Sequence, residues 1–145
     1  MVKLTPATKD SLRRNYSYFE GGMRDIINKV KAKFIPADIY HQVLVGELNL
    51  FWVEDADDGE RFGFTVLSQY ASGYEKCPTL VVDHLWLRPG VDVFLEFGAA
   101  VHDIAQETEM ERLEFNSSRL GWGRRLKEFG FEPITVMYQR QVTNG

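Results

Sequence analysis

The run Leu80-Val81-Val82-Asp83-His84-Leu85-Trp86-Leu87 sets a carboxylate and an imidazole side by side in an otherwise apolar stretch. An imidazole titrates near neutrality, so a neutral His84 can take a proton from a substrate, and Asp83 is the second base on offer. Side chains alternate along a strand, which sends the two to opposite faces and leaves at most one of them facing a cleft. The competing reading is a polar pair satisfied by loop or helix contacts.

Other chemistry-bearing residues are more scattered. His41, His84 and His102 share no His-Glu-x-x-His spacing, so no metal centre is expected. The stretch Asp55-Ala56-Asp57-Asp58-Gly59-Glu60 places its glycine one position too early for a calcium loop, and Val66 stands where the closing acid belongs. A solvated hairpin turn is the expectation. Ser117-Ser118 lack a Gly-x-Ser-x-Gly elbow, which argues against a hydrolase triad. Lys76 beside Cys77 could lower its thiol pKa, yet a plain loop or core cysteine is the simpler account. Arg119, Arg124, Arg125 and Lys127 flank Trp122. This cluster suits a phosphate, an RNA or DNA backbone, or an acidic protein, and equally a solvated helix face with Trp122 packed inward.

The whole chain narrows these choices. Its 145 residues suit one domain spanning 1–145. A net charge of −4 supplies no global field for nucleic acid or an anionic membrane, which makes nucleic acid an improbable partner. Apolar residues at 44% and aromatics at 13% describe a folded chain with an aromatic-rich core. Nine of these aromatics, Tyr16, Tyr18, Phe19, Tyr40, Phe51, Trp52, Tyr70, Tyr74 and Trp86, are many for one small core, so some could serve an interaction surface. The single cysteine rules out an intrachain disulfide. No apolar run reaches the ~18 residues of a membrane helix, and Met1 to Asn15 has no signal-peptide core. A cytoplasmic setting is expected.

The elements that must position these residues are set by periodicity. Val2 to Leu4 reads as a short strand stopped by Pro6, with Thr8 or Asp10 capping the next helix. Leu12, Tyr16, Phe19, Met23, Ile26, Ile27, Val30 and Phe34 recur at helical spacing over 9–34, interrupted at Gly21-Gly22. A short helix from Pro36 stops at Gly46. Residues 48–53 and 61–67 form a hairpin about the acidic turn, and 80–87, apolar on both faces, reads as the middle strand. Phe94, Phe97, Val101, Ile104 and Ala105 mark a crossover helix, Glu111 to Phe115 a strand, and Trp122, Leu126 and Phe129 a last helix stopped by Gly130. Pro133 to Val142 supplies a closing strand. The sum is an α/β (α+β) fold, a mixed and mostly antiparallel sheet with helices on both faces and a central β-α-β crossover.

That order resembles the GCN5-related N-acetyltransferase (GNAT) superfamily. The opening Leu4-Thr5-Pro6-Ala7-Thr8-Lys9-Asp10, the strand end Leu85-Trp86-Leu87-Arg88-Pro89, and Asn116 followed by Trp122-Gly123-Arg124-Arg125-Leu126-Lys127-Glu128-Phe129-Gly130-Phe131 carry the similarity. The Arg119-Leu120-Gly121-Trp122 element resembles short GNAT-like proteins encoded by tailed bacteriophages. The resemblance implies an N-acyltransferase that moves an acetyl group from acetyl-CoA to a small-molecule or protein amine, with His84, then Asp83, as the base. It assigns the cofactor to Trp86, Leu87, Arg88, Gly90, Asp92, Val93 and Asn116.

Two departures stand against activity. The family holds the coenzyme A pyrophosphate on a glycine-containing loop at a helix start. Here the glycine positions fall near Asp92 and Phe94, and Asp92 also reads simply as a helix cap. The tyrosine that many members use as general acid falls at Leu126, which cannot donate a proton, leaving Tyr138 as a substitute. A catalytically silent GNAT-like fold, working through a protein partner as a bacteriophage virion-associated or host-interaction factor, is the alternative. Nucleic-acid binding through the arginine cluster is the third.

Overall fold

The structure is a computed structural model that describes residues 1–30, 34–71, 77–116, 122–134, 138 and 140–142. Along the chain run β1 (Val2–Pro6), α1 (Lys9–Arg14), α2 (Tyr16–Val30), α3 (Pro36–Leu44), β2 (Asn49–Asp55), β3 (Arg61–Ala71), β4 (Pro78–Leu87), α4 (Phe94–Glu107), β5 (Arg112–Phe115) and α5 (Gly123–Glu128). The sheet order is β1-β2-β3-β4-β5. Its first three pairings are antiparallel and β4 pairs β5 in parallel, with α4 as the crossover. The mixed, mostly antiparallel architecture is the one expected.

Local chemistry sets the boundaries. Thr8 Oγ1 accepts the Ser11 N–H at 3.0 Å and caps α1, while Asp10 lies inside the first turn. The break between the first helices falls at Asn15, whose side chain donates to the Ser11 carbonyl at 2.7 Å, and not at Gly21-Gly22 as expected. Gly22 is a packing residue within α2: a Cβ there would lie 2.4 Å from Phe64 Cε1 and 2.9 Å from Trp86 Cδ2, so its bare Cα lets the helix rest on the sheet. Pro36 begins α3, and Gly46, at φ +85°, follows its end. In the hairpin, Asp55 Oδ1 accepts the N–H groups of Asp57 and Asp58, which holds its carboxyl below the usual range. The acidic segment is a turn stabilised by its own side chain.

Both faces of the sheet are covered. On one, α1, α2 and α3 bury Leu12, Phe19, Met23 and Ile39 against Leu50, Trp52, Phe64 and Val66. On the other, α4 buries Phe94, Phe97, Val101 and Ala105 against Val53, Leu67, Leu80, Val82 and Leu85. Most of the aromatics singled out by sequence belong to the first core: Phe19 and Trp52 are buried, and Tyr16, Tyr18, Tyr40 and Trp86 pack against it. Tyr70 remains 45% exposed, and Tyr74 lies outside the described residues. The middle strand is β3; the 80–87 run, within β4, comes second from the edge and is apolar on both faces because helices cover both.

No described residue of Pro133 to Val142 lies in a strand, and residues 135–137 and 139 fall outside the description. Ile134 and Tyr138 are 71% and 90% exposed. An alternating pattern becomes a strand only where a ladder and a packed face receive it. The described part of this segment has neither.

Candidate functional site

The register between β3 and β4 contains the feature that organises the site. Leu67 pairs with Val82 and Val66 pairs with His84, so Asp83 is an extra residue without a partner on β3. This is a β-bulge, which interrupts alternation and bends its strand. The expectation that Asp83 and His84 take opposite faces rested on unbroken alternation, which the bulge interrupts at Asp83. His84 shares the α1–α3 face with Val66, and its ring meets Phe34 edge-on with centroids 5.2 Å apart. At the bulge the buried Thr65 hydroxyl donates to the His84 carbonyl at 2.8 Å.

The described pairing with β5 reaches Val82, next to the bulge. The parallel ladder runs from Thr79–Arg112 to Val82–Phe115, and the Asn116 N–H closes it on the Val82 carbonyl at 3.0 Å. From Asp83 to Leu87 no described strand lies on that edge of β4. The two strands share four described residue pairs, and residues 117–121, which follow Asn116, lie outside the described residues. Asn116, expected at the cofactor, acts through its backbone at the end of that ladder.

Electrostatics at the bulge favours the neutral imidazole, the form able to take a proton. Burial lowers the His84 pKa below its ordinary 6.5, with the neighbouring Asp83 charge pulling it partly back. His84 is thus a neutral imidazole at physiological pH. Asp83 Oδ2 is buried without a hydrogen-bond partner among the described residues, an arrangement that costs free energy until a donor arrives.

The remaining expected residues divide among several roles. Trp86 lies on the helical face, and its indole N–H donates to Asp25 at 2.9 Å. Leu87 packs into the α4-side core, as does Val93, which stands at the N-cap of α4 with no side-chain cap bond. Arg88 pairs with Glu60 and lies over the Phe62 ring at 5.8 Å. Gly90, at φ +84°, makes the turn into α4. Asp92 is not the cap residue of α4. Its carboxylate instead accepts from Arg125 Nη2 at 2.6 Å, and that guanidinium, with a smaller contribution from the Phe94 N–H, holds its pKa below the usual range.

Trp122 packs inward as expected, against Phe94 and Phe115 with centroids 5.5 Å away in each case. The described members of the basic cluster differ in setting. Arg125 is tied to Asp92, Arg124 and Lys127 are exposed on α5, and Arg119 with Ser117-Ser118 lies outside the described residues. Cys77 is partly buried, with its carbonyl accepting from Thr79. No cluster of three or more His, Cys, Asp or Glu able to hold a metal occurs among the described residues. No helix among them is long and apolar enough to cross a membrane. A groove of about 570 Å³, lined by Leu95, His102, Leu113, Phe129 and Phe131 among others, contains none of the expected site residues.

Sequence reasoning missed the bulge, the Phe34 contact and the Asp92–Arg125 pair. The first left a signal: two consecutive polar residues inside an apolar strand break its alternation. The other two join segments far apart in sequence and left none.

Coenzyme A fits part of this arrangement. The β4 edge from Asp83 to Leu87 offers strand backbone to an extended amide-bearing chain, and Arg125 stands at the start of α4 as a cation for phosphate. The glycine-containing loop is absent: Asp92 and Phe94 hold the expected positions, and Phe94 is buried.

No protein-family model matches the chain, and no sequence among the curated proteins does. Solved structures do match. A ribosomal-protein-alanine N-acetyltransferase from Brucella melitensis shares 16% identity at a TM-score of 0.71, covering 98% of this chain and 99% of its own. A GNAT family acetyltransferase from Staphylococcus aureus shares 6% identity at a TM-score of 0.65, covering 97% and 98%. A Clostridium acetobutylicum protein described as a predicted acetyltransferase, solved with acetyl-CoA, shares 12% identity at a TM-score of 0.66, covering 97% and 96%. Identities this low speak to architecture alone, and on that ground the fold is the GNAT acetyltransferase fold.

Proposed function

We propose that this chain is an N-acyltransferase that moves an acetyl group from acetyl-CoA to an amine of a small molecule or protein. The observation that supports this reading is the bulge at Asp83, which sets a carboxylate with one buried, unpartnered oxygen next to an imidazole whose pKa burial lowers. Acetyl-CoA supplies an activated thioester. The chain's part is to hold the cofactor along Asp83 to Leu87, receive a protonated amine at Asp83 Oδ2, and take its proton onto His84, which leaves the amine lone pair free to attack. No described residue serves as an acid for the departing thiolate: Leu126 has no proton to give, and Tyr138 is 90% exposed. Single-turnover acetylation of a mixed amine library, read by mass spectrometry, tests the reading. A His84→Ala chain that acetylates as fast as the parent would remove His84 from the mechanism.

A second reading has a specific observation in its favour. Asp92 stands at the entry to α4 where a pyrophosphate would approach, which favours a catalytically silent GNAT-like fold acting through protein contacts, as in a bacteriophage virion-associated or host-interaction factor. Nucleic-acid binding has less support, because the net charge is −4. Both predict no acetyl product from any amine, and only nucleic-acid binding predicts strong weakening by salt.

A further inference from the structure

Arg125 is held from two sides. Its guanidinium lies 4.8 Å from the Phe94 ring centroid and donates to Asp92 at 2.6 Å. Phe94 is fixed in turn, 3% exposed and packed against Phe115, Trp122 and Phe129. The two ion-pair partners are unequal: the Arg125 side chain is 39% exposed, the Asp92 side chain 71%. The ring and the helix therefore pin the arginine, whereas the aspartate reaches it from solvent.

We propose that Asp92 is an exchangeable placeholder on Arg125, and that a phosphate group of an acyl-CoA displaces it and takes the guanidinium. This deepens the acyltransferase reading and rests on it. An exposed carboxylate–arginine pair is weak because water screens it and a side chain must be ordered to make it. A phosphate presents more charge and a fork-matching set of oxygens, so it competes well for a guanidinium already in place. Exchange also removes the main objection to the cofactor, since Asp92 swings away from the anion instead of facing it. Deleting an ion pair at this site should, against ordinary intuition, improve binding.

Isothermal titration of the parent chain, Asp92→Asn and Arg125→Gln with coenzyme A, dephospho-coenzyme A and pantetheine tests this. Asp92→Asn should tighten coenzyme A by about 3- to 10-fold, the range expected for losing a screened competitor and its like charge. Arg125→Gln should weaken it by about 10-fold or more, as for loss of a charge-assisted contact. Pantetheine, which has no phosphate, should respond to neither variant. Dephospho-coenzyme A identifies the group: a preserved Asp92→Asn effect assigns the pyrophosphate, a lost one the 3′-phosphate. Binding by Asp92→Asn alone overturns the exchange, since Asp92 would then block the site and not yield to the ligand. If the parent binds and Asp92→Asn binds equally or worse, the exchange is overturned while the acyltransferase reading stands. If no protein binds any of the three ligands at millimolar concentration, both fall.

Discussion

The two halves of β4 are one continuous strand with opposite circumstances. From Thr79 to Val82 it is paired on both edges, and all four residues are at most 7% exposed. From Asp83 to Leu87 it is paired, among the described residues, only with β3, and it carries the titratable pair. A single inserted residue separates them. The closed half is laddered on both edges and buried; the open half has one laddered edge among the described residues and a buried carboxylate oxygen without a partner among them. In the proposed reading, stability and chemistry are divided along one strand, at the bulge.

The sharpest way to break this division is to exchange losses across it. Leu80→Ala in the closed half should destabilise the fold by about 2–5 kcal/mol, since Leu80 is 2% exposed and its removal leaves a cavity. Asp83→Ala should cost little or add stability, because it removes a buried carboxylate oxygen that has no partner among the described residues. Chemical denaturation of both variants checks the contrast. Equal destabilisation would mean that the open half is as structural as the closed one.

The next effect falls on turnover. His84→Ala should slow acetyl transfer by about 100-fold or more, the usual range for a lost general base, with secondary structure by circular dichroism unchanged. A smaller signal lies in pH. The unfolded imidazole takes a proton near pH 6.5 while the folded one resists it, so the unfolded state binds more protons just below that value. Stability should therefore decline as pH falls below 6.5, and His84→Gln should flatten that part of the melting profile. The smallest effect belongs to the α4 entry. Asp92→Asn should change stability by no more than about 1 kcal/mol, as for a screened surface pair, and a larger drop would make the pair structural.

Sequence patterning was enough for the architecture because burial imposes it residue by residue. The period change at Leu48 marks the passage from helices to the hairpin, the Phe94 to Ala105 stripe the crossover, and Gly46 and Gly130 the helix stops. Gly22 was misread as a breaker because its reason lies in Phe64 and Trp86, 42 and 64 residues away. The candidate site was half legible. Asp83 and His84 stood out as polar residues in an apolar strand, yet their shared setting depends on the register of β3, which periodicity within one strand cannot report. Asp92 as a cap was the natural local reading; its carboxylate does meet the Phe94 N–H at the start of α4, but Val93 is the cap residue and the larger contact is a long-range arginine.

The central claim is that the open half of β4 receives an acyl-CoA, and thermal unfolding with and without millimolar acetyl-CoA tests it most directly. Ligand at 100 times its dissociation constant adds about 2.7 kcal/mol, and a chain of this size gains roughly 2–4 °C per kcal/mol. A concentration-dependent rise of several degrees is the predicted result. An unchanged transition at every acetyl-CoA concentration would contradict the claim and leave the fold to work through protein contacts.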